Sequence, residues 1–131
     1  MRIRWIRVVL GALLLEFVLL VTLVPISVVN MTAFFVAVPI GCFVFSYLVT
    51  LWLLRTVSTD LLPHGVLVGI VATAMYLGLA SAGSGGISAT IALYGAPLFW
   101  FVNALRIAGC VAGAAQRQRQ VRRAAPLSAL L

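Results

Sequence analysis

The chain has 131 residues, 64% of them hydrophobic and 8% charged, with mean hydropathy +1.22 and net charge +7. Soluble domains are about 45–50% apolar and about 25% charged, so this composition excludes an ordinary soluble fold and predicts an all-α integral membrane protein. All nine basic residues are Arg, and all but Arg106 flank apolar runs, so the charge implies no nucleic-acid partner.

No charge lies between Glu16 and Arg55, and none between Asp60 and Arg106 with His64 counted as neutral. A span needs about 20 apolar residues to cross about 30 Å of hydrocarbon. Each run exceeds that length, so the chain folds back inside each. Turn signals then divide it into four spans, residues 5–24, 32–55, 64–82 and 87–113, followed by a basic tail over 116–131. Nothing remains for a soluble domain, and the predicted fold is a single four-helix up-and-down transmembrane bundle.

The first span follows Arg2, Arg4 and Arg7 and ends at Pro25-Ile26-Ser27, with Asn30 and Thr32 beyond. Arg residues before an apolar run also mark a signal peptide. This run is long, contains Glu16, and has no small-x-small cleavage pattern before Pro25, so it reads as a retained span. Glu16 lies nine residues beyond Arg7, roughly 13 Å into the membrane. A central charge costs about 2.5–3.5 kcal/mol on insertion scales, and each Leu, Val or Phe offsets about 0.3–0.6 kcal/mol. The span can therefore insert, but Glu16 should face the bundle and find a partner.

The second span places Thr32, Phe35, Pro39, Cys42 and Ser46 loosely on one face, with a kink expected at Pro39. "RTVSTDLLP", Arg55 to Pro63, closes it, with "VSTD" suited to capping a short turn. His64 reads as an interfacial loop residue. The third span puts Gly65, Gly69, Ala72, Tyr76, Leu79 and Gly83 on one face. "SAGSGG" after it follows no strand and carries no Lys, so it predicts a flexible extracytoplasmic turn and not a phosphate cradle.

The fourth span carries the clearest stripe: Ala89, Ala92, Ala96, Phe99, Asn103, Arg106, Cys110 and Gly113 share one helical face. Small residues let membrane helices approach, so this face points inward and Ile91, Leu98, Phe101, Val102 and Leu105 point to lipid. Gly65/Gly69 and Gly109/Gly113 are weak GxxxG motifs in so glycine-rich a chain. Cys42 and Cys110 lie at different depths, too far apart for a disulfide. At one common offset Gly11, Thr32 and Pro39 fall on Gly69, Thr90 and Pro97, a pattern that a duplicated hairpin would leave and that this biased composition also produces. The tail should be helical for a short basic extension and irregular from Pro126.

Arg residues concentrate before the first span, between the second and third, and after the fourth. Positive loops stay cytoplasmic, which puts both termini and the middle loop in the cytoplasm. An even span count requires the same. Exclusive use of Arg with abundant Ala, Gly and Val points to a GC-rich bacterial genome, and the expected location is the bacterial cytoplasmic (inner) membrane.

Arg106 lies seven residues inside Gly113, roughly 10–15 Å deep, and is the natural partner for Glu16. Ser46 reaches a similar depth from Arg55, and Asn103 is one turn from Arg106. Glu16, Ser46, Asn103 and Arg106 therefore form a predicted intramembrane polar cluster. Such residues mark ion or proton pathways by default, and the structural alternative is a pair that fixes helix register.

"GALLLE", Gly11 to Glu16, resembles the first span of the small multidrug resistance transporters. Those are four-span proteins of similar length that use a membrane-embedded Glu in proton-coupled drug export. The match covers six residues. The family's third-span glycine–proline pattern has no counterpart, and the strong Arg bias departs from its antiparallel dimers. The resemblance implies a proton and cation site at Glu16.

One His and two separated Cys predict no metal or haem site, no cofactor is implied, and no Ser-His-acid or paired-carboxylate arrangement predicts an enzyme. The expected function is a membrane scaffold or accessory subunit acting by helix–helix association. A small proton-coupled transporter or channel subunit using Glu16 is the alternative. Expected partners are the bilayer, anionic lipid at the Arg-rich tail, and a second copy or another membrane protein.

Overall fold

The computed structural model describes residues 3–57, 59–83 and 85–128, with side chains as far as Ala124. Arg2, Ser58 of the "VSTD" segment and Ser84 of the "SAGSGG" turn lie outside the described residues. The described residues are all helical in architecture: α1 (Trp5–Val29), α2 (Met31–Leu53), α3 (Leu61–Ala82), α4 (Gly86–Tyr94) and α5 (Ala96–Ser128), with one 3-10 turn at Leu54–Thr56. Four of them, α1, α2 with its turn, α3 and α5, are long and apolar enough to cross a membrane.

Several boundaries differ from the sequence reading. The first helix does not stop at Pro25 but runs through it to Val29. Pro25 takes away the donor of the Val21 carbonyl, a loss that helices in apolar surroundings tolerate, and beside it Ser27 Oγ donates to the Val24 carbonyl at 2.7 Å. Asn30 alone makes the turn. Its N–H caps α1 through the Ile26 carbonyl at 2.9 Å, and its Oδ1 accepts from Ala33 N at 3.0 Å to start α2. α2 likewise continues unbroken through Pro39.

The fourth span is two helices. Gly95, with φ 73°, stops α4 after nine residues, and α5 restarts at Ala96 with Pro97 in its first turn. Pro lacks the N–H that a first turn leaves unused, and Gly takes positive φ without a Cβ clash. The two hairpins are therefore unlike at this point. α5 also runs past Pro126 to Ser128, so the expected irregular end is not found. Pro126 leaves only the Arg122 carbonyl without its intrahelical donor, and the helix carries on for two more residues.

The four long helices alternate in direction. Arg4 N–H donates to His64 Nε2 at 3.1 Å, Arg7 donates to Thr56 Oγ1, and Arg117 reaches the Leu54 and Arg55 carbonyls at 3.2 and 2.7 Å. These contacts gather the start of α1, the end of α2, the start of α3 and the Arg117 turn of α5 at one end. Around the bundle the order is α1, α2, α5, α3: α1 and α5 each pack on both α2 and α3. α1 and α5 thus occupy opposite corners.

Small residues set these contacts. A Cβ on Gly109 would come within 2.4 Å of the Phe43 carbonyl oxygen, and one on Gly113 within 2.5 Å of that of Tyr47, so α5 lies directly on the α2 backbone. On its other side α5 meets α3, where a Cβ on Gly65 would sit 2.5 Å from Ala114 Cβ. Both GxxxG pairs are therefore close-approach points. The packing is uneven along the axis. On α3 burial ends at Ala72, and Leu79 and Gly83 of the expected inward stripe are exposed. α4 has no buried residue. The bundle is tight at its Arg-rich end and splayed at the other.

Candidate functional site

The inward face of α1 reads Val8, Gly11, Ala12, Leu15, Glu16, Leu19 and Leu23, a run at three- and four-residue steps that puts Glu16 among apolar neighbours. The fourth-span stripe is inward only from Phe99 onward: Phe99, Asn103, Arg106 and Cys110 are buried, whereas Ala89, Ala92 and Ala96 are exposed because the break at Gly95 turns α4 away. Val102, expected to face lipid, is also buried. The α5 face is widened because helices pack on two of its sides.

Arg106 Nη1 lies 3.1 Å from Glu16 Oε1, with the two side chains 4% and 6% exposed. That is ion-pair distance, off the alignment of a good hydrogen bond. Because α1 and α5 are diagonal, the pair crosses the centre of the bundle. The guanidinium also lies over the Tyr76 ring, 4.6 Å from its centroid, a cation–π contact. Carboxylate and ring together replace the hydration that Arg106 loses on burial.

The other two residues of the expected cluster are placed differently. Asn103 is buried on the same α5 face, but its Nδ2 donates to the Phe99 carbonyl at 2.9 Å. Ser46 is buried against α5 at Gly109, where an added Cβ would sit 2.8 Å from Ser46 Cβ. Among the described residues no hydrogen bond joins either one to the pair. Ser46 Oγ, Thr50 Oγ1, Asn103 Oδ1 and Arg106 Nε are buried without a hydrogen-bond partner in that set.

A cavity of about 90 Å³ touches both charges. It runs from Glu16, Arg106, Tyr76 and Cys42 towards Val24, Phe34 and Tyr94 at the splayed end. Aromatic rings close that end. Tyr94 lies 6.0 Å from Phe34 and 6.3 Å from Phe99, centroid to centroid, and Phe99 lies 6.2 Å from Tyr76. Cys42 and Cys110 are both free thiols.

His64 was read as an interfacial loop residue and is instead 1% exposed inside α3. Its Nδ1 pairs with the Asp60 carbonyl at 2.7 Å while Nε2 accepts from Arg4 N–H, so the network puts the ring proton on Nδ1. His64 thereby ties the start of α1 to the start of α3. Tyr76 and Tyr94 were missed as site residues. The third-span stripe includes Tyr76, but spacing along α3 says nothing of which residue on α5 it meets. Arg117, read as part of the basic tail, folds onto the Leu54 and Arg55 carbonyls of the turn after α2.

No protein-family model matches the chain, and neither a curated protein nor a solved structure does.

Proposed function

We propose that the chain is an integral membrane protein of a bacterial inner membrane, with its Arg-rich end in the cytoplasm, acting as a non-enzymatic scaffold or accessory subunit through helix–helix association. The observation that carries this reading is the diagonal Glu16–Arg106 pair. It joins the two helices that pack on common neighbours from opposite corners, and so fixes the register of the whole bundle. A rigid bundle suits a protein whose outer surface engages other helices. A groove of about 720 Å³ on the α1–α2 face, with Ala33, Ala37 and Gly41 along it, offers close approach to a second copy or a partner membrane protein. The arginines of the turn and tail favour the cytoplasmic side and anionic lipid there.

The test is a mutant cycle read as thermal stability in detergent. Glu16→Gln strands the Arg106 charge, and losing one partner of a buried pair costs about 3–5 kcal/mol. Glu16→Leu with Arg106→Leu removes both charges and should be milder than either single change. Strict additivity of the two would sink the register role.

The cavity at the pair favours a second reading, a proton-coupled transporter or channel subunit. Its volume of about 90 Å³ corresponds to roughly three waters at ~30 Å³ each and lies well below the ~300–1,000 Å³ of ligand sites. Water-sized space beside an ionisable pair suits a proton better than a drug-sized solute. Proton flux in proteoliposomes that Glu16→Gln abolishes, with folding intact, would establish this reading over the scaffold.

A further inference from the structure

The turn that joins α2 to α3 forms the floor of a second cavity, of about 290 Å³, lined by Arg7, Trp52, Leu53, Arg55 and Thr56. One wall is apolar and the rest is cationic or hydroxylic. Among the described residues no carboxylate lines it. Arg7 is fixed by its Nη1 contact to Thr56 Oγ1, which uses one of the five guanidinium N–H groups. The turn is fixed from the other side. Arg117 Nε and Nη2 donate to the Leu54 and Arg55 carbonyls, so the backbone carrying Arg55 is held by α5. The Arg55 side chain stays exposed, and Trp52 is 55% exposed beside it.

We infer that this cavity is a headgroup site for an anionic membrane lipid, with Arg7 and Arg55 holding the phosphodiester and the Trp52–Leu53 wall lying along the glycerol and the first methylenes. The chemistry is matched on both sides of the cavity. Guanidinium forks take phosphate oxygens in pairs. Trp is the residue that sits at headgroup level, apolar on its face and polar at its edge. Two cations on a lining that, among the described residues, holds no carboxylate disfavour the ammonium of a zwitterionic headgroup, so the site selects net negative lipid. This differs from the diffuse attraction of Arg119, Arg122 and Arg123, which lie further along α5 and do not line the cavity. The site rests on the membrane reading given above, and it adds a ligand to that reading.

The test uses the full chain in nanodiscs of phosphatidylcholine, with and without phosphatidylglycerol. Native mass spectrometry reads retained lipid, and thermal unfolding reads protection. Phosphatidylglycerol should be retained in preference to phosphatidylcholine and should raise the unfolding midpoint. Arg55→Gln should weaken retention about fivefold, as the loss of one surface Arg contact predicts, with Arg55→Lys between it and wild type. The triple change Arg119→Gln, Arg122→Gln and Arg123→Gln should leave the tightly held lipid in place. Arg7→Gln also removes the Thr56 contact, so Arg55 is the deciding position. Equal retention by wild type and Arg55→Gln overturns the site. So does equal retention of the two lipids. Full protection in detergent by free glycerophosphoglycerol or inorganic phosphate, with nothing added by the lipid, overturns the lipid source. Failure of wild type to enter either nanodisc overturns the membrane reading itself, and the lipid site with it.

Discussion

Arg106 has a carboxylate at 3.1 Å on one side and an aromatic face at 4.6 Å on another. The two contacts do different work. Glu16 supplies the opposite charge, and Tyr76 supplies a negative π face. A desolvated cation–π contact is worth about 2 kcal/mol. Tyr76→Leu should therefore lower stability by about that amount, whereas Tyr76→Phe keeps the ring face and should cost less in a thermal melt. If Tyr76→Phe proves as damaging as Tyr76→Leu, the hydroxyl and not the ring is the contact that matters. At this scale the sequence was legible where depth decides. A carboxylate roughly 13 Å into an apolar run must turn inward, and an Arg of similar depth on a later run is its natural neighbour. It was not legible where two helices must be placed side by side first. The ring over Arg106, the burial of His64 and the seat of Ser46 against Gly109 all depend on which helix lies next to which.

α5 packs on α2, α3 and α4, and its glycines show how closely. An alanine at 109 would put a methyl group 2.4 Å from the Phe43 carbonyl oxygen, a backbone atom that cannot swing aside. Overpacking of this kind costs about 1–3 kcal/mol. Gly78 on α3 has nothing within 4 Å of its would-be Cβ, and there Ala should be neutral or stabilise by up to about 1 kcal/mol through helix propensity. Chemical denaturation of Gly109→Ala and Gly78→Ala checks the contrast, and equal effects would mean that the α2–α5 seam is looser than described. Helix existence was legible from the apolar runs alone. Helix ends were not, for opposite reasons at two places. Pro25 and Pro39 look like stops in water-soluble sequences yet lie inside continuous helices. Gly95, in contrast, breaks a run whose three- and four-residue periodicity passes over it undisturbed. Periodicity records which residues are apolar and not whether the backbone between them changes sign in φ.

For the whole molecule, the alternation of the four long helices puts Arg4, Arg7, Arg55 and Arg117 at one end. Under the proposed orientation that end is cytoplasmic. Single cysteines introduced at Ser88 and Arg119 in a background without Cys42 and Cys110 should label from opposite sides of an intact membrane. Labelling from the same side would refute the arrangement. The four helices long and apolar enough to span follow from run length. The ring order does not, because any neighbour relation among four amphipathic rods satisfies the same composition. That order, α1–α2–α5–α3, is what makes the Glu16–Arg106 contact a diagonal.

A diagonal contact between the first and last long helices also has a history. Arg106 follows Glu16 by ninety positions, so at about 5–20 residues per second of synthesis the carboxylate precedes its counter-charge by roughly 5–18 s. During that interval α1, α2 and α3 can already be threaded while the acid in α1 has no guanidinium to meet. Under the proposed membrane reading, that acid stays without its counter-charge until α5 is made. Arrival of α5 ends the wait. The last helix then acts as a clasp, and a chain cut short before Arg106 leaves the Glu16 carboxyl without that partner.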